Sequence, residues 1–138
     1  VKLLLGPLLI GVTLGNSPHF GNKKIISILE EHFNNPKIEH ELLGYNFYEN
    51  KNEIIFQIEI LTDKKNVTSA ILFGFNAVSI IANNSKTSFT HSVMIIHFQN
   101  NLNPIIAKAD LSCSKKYFLD GKQTESQWRK NCLSIQIN

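Results

Sequence analysis

Apolar and polar positions follow a two-residue period in four segments of this chain. The alternation is clearest in residues 53–62, and residues 37–48 carry the same pattern just before a short polar loop of hairpin length. Residues 87–99 and 105–112 alternate again on the two sides of an Asn- and Pro-containing turn. The pattern therefore predicts two β-hairpins, each with one face turned toward a core.

Helical spacing replaces this alternation in two further segments. Residues 23–34 carry apolar side chains on one face and glutamates opposite, with Asn22 as a cap and Pro36 just beyond the end. Residues 67–82 are apolar almost throughout, and their length favours a buried helix in which Gly74 allows another element to approach closely. The resulting α-β-β-α-β-β order predicts an α+β fold, an antiparallel sheet of about four strands with helices on one face.

A helical hairpin is predicted at the C-terminal end. Residues 113–118 form the first short helix, Asp-Gly at 120–121 the turn, and a capping box at 124–127 opens the second helix. Cys113 and Cys132 would then lie at the outer ends of the hairpin, close enough to form a disulfide. Such a bond closes a loop in the unfolded chain, which stabilises the folded protein by about 3 kcal/mol in the chain-entropy model. Two buried thiols in a cytosolic protein are the alternative.

The N-terminal residues indicate how the chain is delivered. Lys2 precedes an apolar run at residues 3–14, which matches the charged and apolar regions of a secretory signal. As a helix the run would span about 18 Å, short of the roughly 30 Å hydrocarbon core of a membrane. We therefore predict a signal peptide or membrane anchor at residues 1–16 and one α+β domain at residues 17–138. The alternative is that the run forms a first structural element of the domain.

Composition and charge exclude several classes of protein. With 43% hydrophobic and 18% charged residues, the chain has the composition of a folded globular domain rather than a disordered one. The net charge is only +3, and the lysines occur in scattered pairs rather than in one basic stripe. Nucleic-acid binding is therefore not expected.

The candidate chemistry is sparse, and we predict neither an enzyme nor a metal or cofactor site. One catalytic arrangement with a serine nucleophile can be assembled, from Asp110, Ser112 or Ser114, and a remote histidine. The GxSxG motif that positions a catalytic serine is missing. His91 and His97 share one face of a predicted strand but lie about 20 Å apart, too far to share a metal ion. The histidines do not show zinc-site spacing, and a cluster of them in a groove would make the protein sensitive to pH. They are His19, His32, His40, His91 and His97.

The apolar run at residues 3–14, the chain length, the isoleucine- and asparagine-rich composition and the pair Cys113 and Cys132 together resemble one family. It is the group of TcpH/ToxS-like periplasmic cofactors of ToxR-type membrane transcription regulators. The resemblance implies a periplasmic or inner-membrane-anchored protein that binds and stabilises the periplasmic domain of a membrane-bound virulence regulator. It also implies a role in sensing an amphipathic acid such as a bile salt or fatty acid.

The residues suggest where such a partner or ligand would bind. The predicted sheet is apolar on both faces, which is more hydrophobic surface than one layer of helices covers, and an exposed edge strand suits strand sharing. Two other functions remain open: a free-standing exported binding or inhibitor module of cystatin-like shape, and a structural subunit of an envelope assembly. The candidate partner- or ligand-binding residues are Ile54, Phe56, Ile58, Phe73, Phe75, His91 and His97.

Overall fold

A computed structural model of the chain describes residues 20–100 and 102–137. The predicted signal peptide or anchor at residues 1–16 lies outside these residues. The elements follow in the order α1 (Asn22–Phe33), β1 (Glu41–Asn50), β2 (Glu53–Thr62), a 3-10 turn (Lys64–Asn66), α2 (Val67–Asn83), β3 (His91–Phe98), β4 (Ile105–Asp110), α3 (Leu111–Phe118), α4 (Glu125–Asn131) and β5 (Leu133–Ile137).

The strands form one five-stranded sheet in the order β1-β2-β3-β4-β5. The α+β class is confirmed, but the prediction of about four antiparallel strands is wrong in two respects. β5 was not expected, and β2 and β3 are parallel, whereas the other three neighbouring pairs are antiparallel. The parallel pair arises because α2, about 25 Å long for its 17 residues, carries the chain back along β2 before β3 begins.

One face of the sheet forms the core together with the helices. Alternate residues of β2, β3 and β4 on this face are fully or almost fully buried, and all four helices contribute buried residues to the same cluster. Helix α1 supplies Ile25, Leu29 and Phe33, a spacing of four residues that keeps them on one helical face. The sheet supplies Phe56, Ile58, Ile60, Met94, Ile96, Ala107 and Ala109.

Gly74 permits the close packing of α2 on the sheet, as the sequence predicts. A Cβ atom at Gly74 would overlap the methyl group of Met94 and would contact Ile58 Cδ1 at 3.4 Å. Lys64–Asn83 is also long and apolar enough to cross a membrane by length and composition, with a mean hydropathy of 1.3. Its Ala70, Ile71, Phe75 and Val78 nevertheless lie in the core of the domain, which is the environment expected of a central helix.

The C-terminal helical hairpin is confirmed. Thr124 Oγ1 accepts a hydrogen bond from Gln127 N at 3.1 Å, and Gln127 Oε1 accepts one from Thr124 N at 2.8 Å. This is the predicted capping box, which satisfies two backbone N–H groups at the start of α4. Gly121 has a φ of +64°, so the turn between α3 and α4 uses the left-handed conformation that glycine adopts without a steric penalty. At α1, by contrast, Gly21 rather than Asn22 occupies the cap position.

Candidate functional site

A disulfide between Cys113 and Cys132 closes the helical hairpin, as predicted from the sequence. The two Cα atoms are 5.5 Å apart, since Cys113 lies in the first turn of α3 and Cys132 caps the end of α4. Asp110 Oδ1 accepts a hydrogen bond from Cys113 N at 2.9 Å and thereby caps α3. Gln123 Nε2 donates to Cys113 O at 3.0 Å, which ties the loop between α3 and α4 to the first turn of α3.

Trp128 fixes the aromatic side chains of the hairpin against α2. Its indole is fully buried, with its ring centroid 4.9 Å from that of Phe118, 5.7 Å from Phe75 and 5.9 Å from Tyr117. Trp128 Nε1 donates a hydrogen bond to Ser114 Oγ at 2.9 Å. Ser114 is therefore buried and engaged, and it is not placed as a nucleophile.

This packing creates a surface groove between α2 and α3. The volume is about 440 Å³, and four of the five lining side chains are apolar or aromatic. The groove is a shallow depression that is open to solvent rather than an enclosed cavity. Asn76 supplies the single amide among the lining residues, which are Leu72, Phe73, Asn76, Tyr117 and Phe118.

The hairpin that supplies one wall of the groove carries more basic than acidic side chains. Helix α2 contains no ionisable residue, whereas the segment from α3 to α4 carries five basic and two acidic side chains. Glu125 forms an ion pair with Arg129 at 2.9 Å, which leaves four lysines against Asp120. Lys115 and Lys116 immediately precede Tyr117 and Phe118 of the groove wall on α3. An apolar ligand with an anionic head group would match this combination of wall and charge.

The opposite sheet face carries a charged cluster around His91. His91 Nε2 lies 3.6 Å from Glu53 Oε2 and 3.8 Å from Asp110 Oδ2, and His91 Nδ1 lies 2.9 Å from Thr90 Oγ1. Lys108 Nζ donates a hydrogen bond to Glu53, and this bond is the main cause that holds the pKa of the Glu53 carboxyl below its usual range. The cluster lies on a sheet surface, and Thr90 Oγ1 is engaged with the backbone of β2.

His97 lies on the same sheet face as His91, at the other end of β3. His97 Nε2 and Glu59 Oε1 are 2.9 Å apart, so each histidine has its own carboxylate partner on β2. Within residues 20–100 and 102–137, no group of three or more His, Cys, Asp or Glu side chains is placed to hold a metal ion.

The candidate binding residues predicted from the sequence divide into four sets. Phe56, Ile58 and Phe75 are at most 1% exposed in the core, so they are unavailable to a partner, and that part of the prediction is corrected. The helices pack on the face of the sheet that carries Phe56 and Ile58, and no helix packs on the face that carries His91 and His97 within the described residues. Phe73 lines the groove. Ile54 is half-buried at the end of β2 on the helix side, where its N–H bonds to Thr90.

His40 occupies a polar site that the sequence pattern did not distinguish from the other histidines. The ring is buried, with Nδ1 2.8 Å from Thr62 Oγ1 and Nε2 3.3 Å from Ser69 Oγ. Thr62 Oγ1 itself donates to Glu39 O at 3.5 Å, so it accepts from the N–H of the neutral ring. Burial lowers the pKa of His40, and the negative charge of Glu39 offsets this only in part.

The lowered pKa of His40 predicts a loss of stability in mild acid. In the unfolded chain His40 protonates as the pH falls through about 6.5, whereas the folded protein resists protonation, so the unfolded state binds more protons. Stability is therefore full above that pH and falls as the pH drops toward the pKa of the folded state. Urea denaturation of the wild type and of His40→Asn, at several pH values between about 5 and 8, measures this contribution.

The amide that replaces the imidazole in that variant keeps a donor toward Thr62 but does not titrate. We expect a shallower pH dependence in His40→Asn than in the wild type. Equal slopes in the wild type and His40→Asn would contradict the assignment.

Comparison of the chain with protein-family models, with curated proteins and with solved structures found no match. The class that the fold and the groove define is a small α+β domain with a disulfide-closed helical hairpin. Its function has to be inferred from the chemistry of its own surfaces.

Proposed function

We propose that this domain is a non-enzymatic, extracytoplasmic binding protein whose groove between α2 and α3 takes an amphipathic acid. The groove is the observation that carries the proposal, since its apolar lining adjoins a hairpin with an excess of lysines. A fatty acid or bile salt combines these two properties, an apolar body and a single anionic head. The apolar lining would contact one side of the body, and the lysines would attract the head group.

An extracytoplasmic location is supported by the bond between Cys113 and Cys132. Disulfides persist in oxidising compartments such as the periplasm and are rare in the reducing cytosol. The predicted signal or anchor at residues 1–16 agrees with the same location.

In the cell, this protein would act as a cofactor of a membrane-bound transcription regulator, in the manner of the TcpH/ToxS-like family that it resembles. Occupation of the groove would be reported to the periplasmic domain of that regulator through a protein–protein contact. Co-expression with a regulator encoded next to it, one with a DNA-binding domain and a single membrane span, should give a complex that co-purifies. A chain that is stable, soluble and monomeric alone and does not co-purify would contradict this role.

Ligand binding is tested by adding a negative charge to the groove. Asn76→Glu is expected to weaken binding of decanoate about tenfold, because a carboxylate in the wall repels the anionic head group. Asn76→Gln, of similar size but uncharged, is the matched control and should bind decanoate like the wild type. Isothermal titration calorimetry of the full chain with decanoate, taurocholate and the uncharged analogue 1-decanol measures the effect.

The three ligands separate charge recognition from nonspecific apolar binding. We expect 1-decanol to bind the wild type more weakly than decanoate and to be little affected by Asn76→Glu. Failure of both decanoate and taurocholate to bind, or equal binding of decanoate to the Glu and Gln variants, would overturn the assignment of the groove.

A further inference from the structure

Strand β5 forms one edge of the sheet and leaves two large apolar side chains exposed. Ile135 is 44% exposed and Ile137 is 75% exposed, although both lie on the helix side of the sheet. Together with Leu133 they occupy alternate positions, so one side of this edge is a short apolar stripe. Ser134 and Gln136 supply the other side, and the strand carries no charge.

The backbone of β5 is oriented to accept another strand. Asp110 N donates to Cys132 O at 3.2 Å, so Asp110 of β4 and Cys132, just before β5, are a hydrogen-bonded pair. Bonded and non-bonded pairs alternate along antiparallel strands, and Leu133 is opposite Ala109 in the next pair. The N–H and C=O groups of Leu133, Ile135 and Ile137 therefore point away from β4 and outward from the sheet.

The other edge of the sheet differs in the features that discourage pairing. Strand β1 carries Glu41 and Glu49, and its register shifts between Leu42 and Gly44, where the chain forms a bulge. Charged side chains and bulges are common means by which proteins protect an edge strand from other chains. Such features are missing from β5, which has neither a charge nor a proline nor a register shift in its pairing with β4.

We propose that β5 is a self-association surface on which a second copy of this chain pairs antiparallel, about a two-fold axis at Ile135. In that arrangement Ile135 lies opposite Ile135 of the second copy, and Leu133 lies opposite Ile137. The backbone N–H and C=O groups of these residues point outward. The residues that would form hydrogen bonds to the second copy are therefore the same residues that form the apolar stripe. Ser134 then lies opposite Gln136, and no like charges meet on the paired strands.

Self-complementarity favours a second copy over a different partner. In the two-fold pairing, the apolar stripe at Leu133, Ile135 and Ile137 lies beside the same stripe of the second copy, and no charged side chain of the strand meets its own image. The surface is distinct from the groove between α2 and α3, so the inference goes beyond the proposed function. Loss of ligand binding without loss of the dimer, or the reverse, distinguishes failure of one from failure of the other.

The test compares two substitutions at Ile135 that act on different parts of the contact. Ile135→Lys replaces the central apolar side chain by a charge that would meet itself across the two-fold axis. Ile135→Pro removes the outward N–H but leaves the bonds to β4, and proline is tolerated at such edge positions. Sedimentation velocity of the full chain between about 1 and 100 µM should show a concentration-dependent dimer for the wild type.

We expect each Ile135 substitution to raise the dimer dissociation constant at least about tenfold. Leu43→Lys, at a 48% exposed position on the β1 edge, is the matched control and should dimerise like the wild type. Far-UV circular dichroism verifies that each variant is folded. A wild type that stays monomeric over this range, or a dimer that neither Ile135 substitution weakens, would overturn the proposal. So would a dimer that Leu43→Lys disrupts and the Ile135 variants do not.

Discussion

Replacing Trp128 by alanine is expected to lower the free energy of unfolding by about 3–5 kcal/mol, the usual cost of removing a large buried aromatic side chain. The indole is fully buried and packs against Phe75 of α2 and against Tyr117 and Phe118 of α3. Its removal would leave a cavity where α4, α3 and α2 meet, and would free the two aromatic residues that form one wall of the groove. The substitution should therefore weaken ligand binding as well as stability.

Trp128→Phe is the matched control, since it keeps a ring but removes the donor to Ser114 Oγ. Its cost should be smaller, on the order of 1–3 kcal/mol, the penalty of leaving a buried hydroxyl without its partner and a smaller void. Trp128 is the only tryptophan of the chain, so urea unfolding is followed by far-UV circular dichroism in all three proteins rather than by fluorescence. A loss of less than about 1 kcal/mol in Trp128→Ala would contradict its central position.

Removal of the disulfide is expected to cost about 3 kcal/mol, because the unfolded chain regains the entropy of a closed loop of this length. Cys113 and Cys132 are 19 positions apart, and hydrogen bonds already hold both ends of the loop, from Cys113 N to Asp110 Oδ1 and from Asp110 N to Cys132 O. The folded hairpin should therefore persist after the bond is removed, with the main change in the unfolded state. The double variant Cys113→Ala/Cys132→Ala and the reduced wild type are compared in urea.

The two measurements separate the covalent link from packing of the sulfur atoms. The reduced wild type keeps both sulfur atoms, so an equal loss of unfolding free energy in the two proteins assigns the effect to the covalent bond. A larger loss in the alanine variant indicates lost packing around the buried Cys132. Stability unchanged by reduction would contradict the prediction. Mass spectrometry of the exported, non-reduced protein shows whether the bond forms in the cell, and free thiols at both positions would remove the argument for an oxidising compartment.

The local features of the fold were predictable because neighbouring residues determine them. The capping box depends on Thr124 and Gln127, three positions apart, and the turn at Gly121 depends on the conformational freedom of one residue. Strand β2 was predicted with its observed bounds, because the apolar residues at 54, 56, 58 and 60 keep a two-residue period that leaves little ambiguity. Strand β5 was missed, since five residues after a helix carry too short a pattern and become a strand only by pairing with β4.

The candidate site was predictable only in part for a similar reason. Phe73 and Phe75 are two positions apart in an almost wholly apolar helix, and the sequence does not distinguish which of them faces the sheet. Phe75 is buried beneath the hairpin and Phe73 lines the groove, because α3 and α4 pack on one side of α2 only. Tyr117 and Phe118 were not among the predicted binding residues, since their proximity to α2 depends on the hairpin and on Trp128.

The sequence by itself determined the α+β class, the extents of α2 and β2, and the helical hairpin with its disulfide. The periods of apolar residues and the helix caps depend on neighbouring residues, and two cysteines allow only one internal pairing. Only the tertiary structure decided that β2 and β3 are parallel, that β5 joins the sheet beside β4, and that the groove lies between α2 and α3. These features join residues far apart in the chain. Their free energy comes from burying one element against another, and a pattern of apolar positions marks the surface that is buried but not the element that covers it.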